Sequence, residues 1–190
     1  MGKRYVTDRE FCQLDNAENN LLKGDYEACK FSGCNFAEVD LSEFAFEDCN
    51  FEDCDLSNIK TGNTAFRNVR FKDCKLLGVH FEECNPFLLA FQFENCHLNF
   101  SSFYQLKIKE TKFSNCILQE VDFIETNLTR SLFENCDLSG SSFENSNLEK
   151  CNFSTSFNFI INPEINRIQH AKFSINNISG LLHQYNIEIE

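Results

Sequence analysis

Residues 113–153 read FSNCILQEVDFIETNLTRSLFENCDLSGSSFENSNLEKCNF, and every fifth residue of this stretch, beginning with Phe113, is alternately Phe and Leu. The same five-residue period of large apolar residues covers residues 26–81 and, after a slip of two residues at Asn85-Pro86, continues over residues 88–173. A period sustained over such a length is the signature of a repeat architecture, in which each unit buries its apolar face against its neighbours.

A smaller residue stands two positions before each large one, and ten of the eleven cysteines occupy this position. These are Cys29, Cys34, Cys49, Cys54, Cys74, Cys84, Cys96, Cys116, Cys136 and Cys151. The residue between the small and the large one is mostly polar, so the three alternate inward, outward and inward as in a strand. The remaining two residues suit a corner. A helix is excluded, because a period of five drifts around a turn of 3.6 residues.

The chemistry of the repeats fixes the number of sides. At a spacing of 20 the columns are uniform, as for Cys34, Cys54 and Cys74, whereas a spacing of 15 would stack Cys29 on Phe44. Twenty residues per coil and five per side predict an all-β, four-sided solenoid. Seven and a half coils, stacked at the strand spacing of ~4.8 Å, would form a rod roughly 36 Å long. Cysteine then serves as a small buried filler.

Composition excludes several classes of function. With 17 Lys+Arg against 29 Asp+Glu, the net charge is −12, which argues against direct binding of nucleic acid or anionic lipid. No apolar run approaches the ~20 residues of a membrane span, and the N-terminus lacks the apolar core of a signal peptide. We therefore expect a cytoplasmic protein. No nucleophile elbow, P-loop, dinucleotide fingerprint or zinc-spaced cysteine pair occurs, so neither catalysis nor a cofactor or metal is expected.

The repeats resemble those of pentapeptide repeat proteins. Cys54-Asp55-Leu56-Ser57-Asn58 and Cys136-Asp137-Leu138-Ser139-Gly140 match the family consensus of a small residue, Asn or Asp, Leu or Phe, a polar residue and a variable one. The resemblance covers residues 21–173 and implies a right-handed quadrilateral β-helix. Residues 161–174, INPEINRIQHAKFS, are similar to the end of the topoisomerase-protecting members, the Qnr quinolone-resistance and albicidin-immunity proteins. In those proteins a C-terminal helix pairs two rods tail to tail.

Three segments are predicted: an N-terminal cap over residues 1–20, the β-helix over residues 21–173 with a break at 85–87, and a short C-terminal helix and strand over residues 174–190. Ser174 is a suitable N-cap for the helix. The predicted dimerisation residues, which recur at helical spacing and continue into the strand, are Ile175, Ile178, Leu181, Leu182, Tyr185 and Ile187. The alternative is that this tail only caps its own rod.

Two groups of residues are candidates for binding a protein partner. The first is the densest acidic stretch, Glu43, Glu47, Asp48, Glu52, Asp53 and Asp55, and the second is the break at Asn85, Pro86 and Phe87. The resemblance implies a homodimer that mimics DNA and binds DNA gyrase or topoisomerase IV, and so modulates the enzyme or protects it from a drug or toxin such as a quinolone. The alternatives are an ordinary solvated surface, a tolerated insertion at the break, and a structural or protein-interaction solenoid with an unrelated partner.

Overall fold

The computed structural model describes residues 4–15 and 21–188, and its strands are short, parallel and one coil apart. The strands are β1 (Arg4–Thr7), β2 (Glu10–Cys12), β3 (Gly24–Glu27), β4 (Lys30–Ser32), β5 (Ala45–Glu47), β6 (Asn50–Glu52), β7 (Ala65–Arg67), β8 (Val69–Lys72), β9 (Phe91–Glu94), β10 (Lys112–Ser114) and β11 (Leu132–Glu134). Single 3-10 turns occur at Phe81–Glu83, Ile178–Leu181 and His183–Tyr185.

The pairing register confirms the coil of 20 residues. Phe31 lies beside Phe51, and Phe113 beside Phe133, whereas Phe71 lies beside Phe93 because the break adds two residues. We number the sides in chain order. Side 1 contains β1, β3, β5 and β7, in that spatial order, and side 2 contains β2, β4, β6, β8, β9, β10 and β11.

Sides 3 and 4 are held by isolated bridges rather than by strands. The pair Asn35↔Asp55 belongs to side 3, and the pair Asp40↔Lys60 belongs to side 4. Beyond the break, side 1 resumes in the same manner with the bridge Lys107↔Asn127. The chain thus forms the predicted four-sided β-helix.

Phenylalanine fills the centre of the tube in two geometries. Along one side the rings stack, as for Phe113 and Phe133, whose centroids lie 4.8 Å apart at an interplanar angle of 8°. Between sides they meet edge to face, as for Phe123 and Phe133 at 5.9 Å and 90°. Both arrangements are favourable for aromatic pairs, and burial of each ring contributes about 1.5–3 kcal/mol before entropy is counted. The interior therefore consists of continuous ring columns, which explains the abundance of Phe.

A left-handed backbone turn forms most of the corners. The residue two positions after most of the large apolar residues has a positive φ, as at Asp48 (52°), Asp53 (52°) and Asn58 (54°). Asn, Asp and Gly tolerate this conformation better than other residues, which explains why they recur at the corners.

The break at residues 85–87 redirects the chain at side 1. The five-residue phase predicts that Leu88 points inward, but Leu88 is 65% exposed and has a φ of 57°. Phe91 enters the core in its place, with its ring centroid 5.8 Å from that of Phe66. The prediction for Leu88 was wrong because the extra residues form an outward turn that the phase alone does not reveal.

The N-terminal segment is more regular than a separate cap. Strand β1 pairs with β3 and β2 pairs with β4, each at the 20-residue spacing, so residues 4–15 continue sides 1 and 2 of the solenoid. Phe11 stacks on Phe31 at 5.0 Å. Cys12, which departs from the repeat, is exposed. The rest of the predicted cap, residues 1–3 and 16–20, lies outside the described residues.

The C-terminal tail covers the end of the rod. Two successive 3-10 turns replace the predicted continuous helix, and the first begins at Ile178, with Asn177 rather than Ser174 preceding it. The Asn177 side-chain amide donates to the backbone oxygens of Phe153 (3.1 Å) and Ser156 (2.8 Å), which are acceptors of the last coil. The tail is thus a cap on its own rod, whether or not it also pairs with a second copy.

Close packing fixes the tail in this position. Gly180 lies so near Phe159 that an added Cβ would be 2.2 Å from the Phe159 backbone oxygen, and the Gly180 carbonyl accepts from the Ile161 N–H at 3.0 Å. Ile187 and Glu188 are not in a strand, and the rest of the predicted strand, Ile189 and Glu190, falls outside the described chain. No helix in residues 4–15 and 21–188 has the length and apolar character needed to cross a bilayer.

Candidate partner-binding surface

The interior of the rod is filled by side chains, so the exterior carries the candidate sites. The core residues of the repeats, such as Phe51, Phe71 and Leu118, are at most 1% exposed. Depressions occur along the outer sides, for example on side 2 between Glu52, Lys72 and Lys112. These are surface grooves rather than enclosed chambers, and a partner would contact outward-facing side chains.

The acidic stretch winds around the rod rather than forming one patch. Glu43 lies at the corner of sides 4 and 1, and Glu47 lies on side 1. Asp48 forms the next corner, Glu52 lies on side 2, and Asp53 forms the corner with side 3. The last member, Asp55, lies on side 3, where it pairs with Asn35. A single flat partner surface therefore cannot contact all six residues at once.

Residues one coil away neutralise much of this acidic stretch. Glu47 pairs with Arg67 at 3.2 Å, and Glu52 pairs with Lys30 at 2.7 Å. The other pairs on this stretch are Glu43 with Lys23, Asp55 with Lys75 at 3.9 Å, and Asp48 with the Asn68 amide at 2.5 Å. Exposed ion pairs such as these add little stability, but they reduce the negative field that a distant cation experiences.

The break at Asn85, Pro86 and Phe87 forms an apolar projection on side 1. Phe87 and Leu88 are each 65% exposed. The Asn85 side-chain oxygen accepts from the Phe87 backbone N–H at 2.9 Å, which fixes the turn. The Arg67 guanidinium lies 5.7 Å from the Phe87 ring centroid and also pairs with Glu47. The structure thus brings the projection and Glu47 together, while Asp53 and Asp55 lie on other sides.

The C-terminal end exposes most of its predicted dimerisation residues. The exposed fractions are 86% for Ile175, 43% for Ile178, 49% for Tyr185 and 56% for Ile187. Leu181, by contrast, packs against the core of its own chain. Leu182 is half-buried.

Three apolar residues at this end were missed by the helical spacing. Phe157, Ile160 and Ile165 are 46%, 49% and 44% exposed. They flank Asn158 and Pro163, which stand where the five-residue period expects a large apolar residue. This interruption of the repeat is the sequence signal that could have identified them. An apolar side chain beside a lost repeat has no inward slot to occupy.

The buried thiols of Cys49 and Cys151 are kept unreactive by their environment. On side 3 the thiols stack in a column and donate to backbone oxygens of the preceding coil, as Cys74 does to Phe51 at 3.4 Å. Burial raises the pKa of Cys49 and of Cys151 to about 12, so both remain protonated thiols near neutral pH. Within the described residues, no three or more His, Cys, Asp or Glu side chains are grouped to hold a metal ion.

Comparison with known proteins agrees with this architecture. The family model described as "Pentapeptide repeat region" matches residues 25–92 and 88–157. A search of curated protein sequences found no match. Two trypsin-treated variants of QnrB1, "a plasmid-mediated fluoroquinolone resistance protein", are similar in structure. The first has a TM-score of 0.65 at 16% identity and covers 98% of this chain and 92% of that one. The second has a TM-score of 0.50 at 19% identity, with coverages of 98% and 100%.

At these identities the likeness of the structures concerns the fold, whereas the family model matches most of the chain at the level of sequence. The chain belongs to the pentapeptide repeat family.

Proposed function

We propose that this protein binds a type II topoisomerase, DNA gyrase or topoisomerase IV, in the cytoplasm as a DNA mimic, and that it modulates the enzyme or protects it from a drug or toxin. The observation that carries the proposal is a filled, acidic rod whose fold matches QnrB1 over 98% of the chain. Quinolone resistance is the role named for QnrB1, and we extend it to this chain as a proposal. The proposed action is binding rather than catalysis.

Shape and charge support mimicry to different degrees. Residues 26–173 carry a net charge of −9, which over roughly 36 Å is about one charge per 4 Å. Duplex DNA carries one charge per ~1.7 Å of axis. Average charge density is therefore less than half that of DNA, and local concentration of acidic residues must contribute.

Such a concentration occurs on sides 3 and 4 of the C-terminal half. Its acidic residues are Glu120, Asp122, Glu125, Asp137, Glu144 and Glu164. No Lys or Arg lies on these two sides between residues 113 and 166, all of which the structure describes. Burial acts to raise the pKa of Asp137, but hydrogen bonds from Ser139 and Gln119 outweigh it and hold the pKa below its ordinary value. We propose these two sides as the enzyme-facing surface.

Dimerisation would complete the mimic. The exposed apolar side chains at the C-terminal end support a tail-to-tail homodimer, because burying Ile175 and Ile187 against a second copy removes apolar surface from water. Two rods end to end would extend over more than about 70 Å, long enough to lie across a DNA-binding saddle.

A gyrase supercoiling assay tests the proposal. We expect the purified protein to inhibit supercoiling or to relieve quinolone inhibition, with an effect that weakens as salt increases. The variant Glu125→Gln/Glu144→Gln/Glu164→Gln should lose most of the effect, while Glu47→Gln/Glu52→Gln/Asp55→Asn, which changes the net charge equally among ion-paired residues, should retain it.

The absence of binding, inhibition and protection would reject topoisomerase as the partner. The chain would then be a protein-interaction solenoid with an unrelated partner. The internal neutralisation of Glu47, Glu52 and Asp55 is the observation that favours this second function.

A further inference from the structure

The cations of the C-terminal half all lie on side 1 or on the adjoining part of side 2, although the protein as a whole is acidic. Every Lys and Arg after residue 75 lies on side 1, at its corner with side 2, or at the first outward position of side 2. These residues are Lys107, Lys109, Lys112, Arg130, Lys150, Arg167 and Lys172, and all are exposed. We call this surface the basic side.

Pairing places these cations in register from coil to coil. One column follows the bridges from Lys107 through Asn127 and Asn147 to Arg167. A second begins at Lys112 and ends at Lys172. Each column covers three coil spacings, about 14 Å, which is the axial length of about four nucleotides of one strand.

Three carboxylates lie among the cations, and each is already paired. Glu110 binds Arg130 at 3.1 Å, and Glu149 binds Arg167. Lys107, Lys109, Lys150 and Lys172 have no ion-pair partner among the described residues, and Lys112 has only a contact of 3.7 Å with Glu134. The basic side thus retains a strong positive charge.

The uncharged groups on the basic side are also hydrogen-bond donors. The Asn127 side-chain oxygen accepts from the Thr129 N–H at 3.2 Å and its hydroxyl at 2.7 Å, and the Asn147 oxygen accepts from the Glu149 N–H at 3.0 Å. Since the amide oxygens are engaged, the amide NH₂ groups remain as donors. A surface that offers cations and donors is complementary to a row of anionic oxygens, which only accept.

The basic side also lacks the apolar centre of a protein interface. The large apolar residues of its columns, Ile108, Leu128 and Leu148, are at most 1% exposed. Protein-binding surfaces usually have an apolar core, and peripheral membrane surfaces usually add apolar side chains that enter the lipid. In the two columns the one outward apolar residue is Leu132, which is half-buried, and the exposed Phe87 and Leu88 lie on side 1 before the first cation, Lys107. The stretch from Lys107 to Lys172 therefore favours a phosphodiester backbone.

We propose that the basic side binds the sugar-phosphate backbone of duplex nucleic acid without reading its sequence. The net charge of −12 predicted that the protein does not bind nucleic acid. The proposal differs from that prediction because composition does not show how charges are distributed around a rod. Side 3 lies across the tube, whereas side 4 adjoins side 1 at the corner that carries Glu125. Salt screens the repulsion that these acidic sides exert on a phosphate bound on side 1. This proposal does not depend on topoisomerase binding, and its test contains no enzyme.

The test is fluorescence anisotropy with a labelled 20-base-pair duplex at 50–200 mM salt. With four unpaired lysines engaged, we expect the logarithm of the binding constant to fall against the logarithm of salt with a slope of about −3.6. The variant Lys107→Gln/Lys109→Gln/Lys150→Gln should bind at least tenfold more weakly at 50 mM salt, with a slope reduced by about 2.7. The matched variant Lys30→Gln/Lys60→Gln/Lys75→Gln loses the same net charge from sides 2, 3 and 4 and should change binding less than threefold.

Three results would overturn the proposal. The first is no binding of the duplex at 50 mM salt. The second is equal weakening by the two triple variants, which would show that net charge alone decides. The third is binding to phosphatidylserine vesicles or to polyglutamate as tight as to DNA, which would assign the basic side to lipid or to an acidic protein. All variants alter exposed or half-buried surface residues, and unchanged thermal unfolding would verify that they fold.

Discussion

A single backbone angle explains why small and polar residues recur at every fifth position. The corner residues have a positive φ, and an L-residue with a β-carbon is strained there by about 1–2 kcal/mol. Ala28 is such a residue, with a φ of 52° and an exposed side chain. The period-five pattern shows where the corners lie, but the sign of φ emerges only from the structure.

Because of the strain at the corners, replacing Ala by Gly should stabilise the protein at a corner and destabilise it in a strand. Ala28→Gly should stabilise the protein by about 0.5–1 kcal/mol, because glycine adopts a positive φ without strain. Ala45→Gly, in strand β5, should destabilise it by a similar amount. Urea unfolding of both variants provides the measurement, and destabilisation by Ala28→Gly would contradict this account of the corners.

The buried thiols predict a loss of stability at alkaline pH. Burial raises the pKa of Cys49, Cys84 and Cys151 to about 12, whereas a thiol in the unfolded chain titrates near 9. Between these values the unfolded chain releases protons that the folded chain retains, so each thiol lowers stability by about 1.4 kcal/mol per pH unit. Below pH 9 this effect is absent.

Urea unfolding at pH 8, 10 and 11 measures this loss. The Cys49→Ala variant should show a shallower decline, since it lacks one of the titrating groups. Equal stability of the parent protein at pH 8 and pH 11 would show that these thiols are not protected by burial.

At the scale of the coil, the stacked phenylalanine rings contribute most of the stability. Phe123 is fully buried between stacked and edge-to-face partners, and Phe123→Ala should cost about 3–5 kcal/mol. Phe100 is 60% exposed at a corner, and Phe100→Ala, which keeps a β-carbon at the same φ, should cost less than about 0.5 kcal/mol. Comparable losses of unfolding free energy for the two variants would refute the assignment of the core.

The element scale also shows what sequence reasoning could and could not provide. The period of five predicted the four sides and the core, because each side has two inward positions and a large apolar residue recurs at the second of them. It failed at Leu88, where two extra residues turn a side chain outward. The tail was predicted to be a continuous helix, but it forms two consecutive 3-10 turns. The two structures have a similar spacing of apolar residues, so the sequence pattern did not distinguish them.

The side on which each charged residue lies follows from the twenty-residue period of the sequence. A stretch of thirteen residues from Glu43 to Asp55 must pass three sides of a coil of twenty, so it could not form one patch. Likewise, assigning Lys107 and Lys150 to sides by the twenty-residue period would have revealed the basic side. The cross-coil partners, such as Arg67 for Glu47, follow from the same arithmetic.

At the scale of the whole molecule, different residues of the tail cap the rod and are available for self-association. Ile175 is 86% exposed and contributes no packing to its own rod, whereas Leu181 packs against the core. Ile175→Asp should therefore convert the proposed dimer to a monomer without lowering the unfolding temperature, while Leu181→Asp should lower that temperature as well. Light scattering coupled to gel filtration gives the mass, and an unchanged mass for Ile175→Asp would exclude Ile175 from the contact.

The cap formed by Asn177 and Gly180 has a further consequence for growth of the rod. A solenoid end without a cover presents a row of unpaired backbone groups that can template the coil of another molecule. Removal of residues 174–190 should therefore cause lengthwise polymerisation into filaments, seen as rising turbidity and thioflavin fluorescence, while the intact chain stays dispersed. A few hydrogen bonds to Phe153, Ser156 and Ile161 then decide whether this architecture yields a discrete particle or an open-ended fibre.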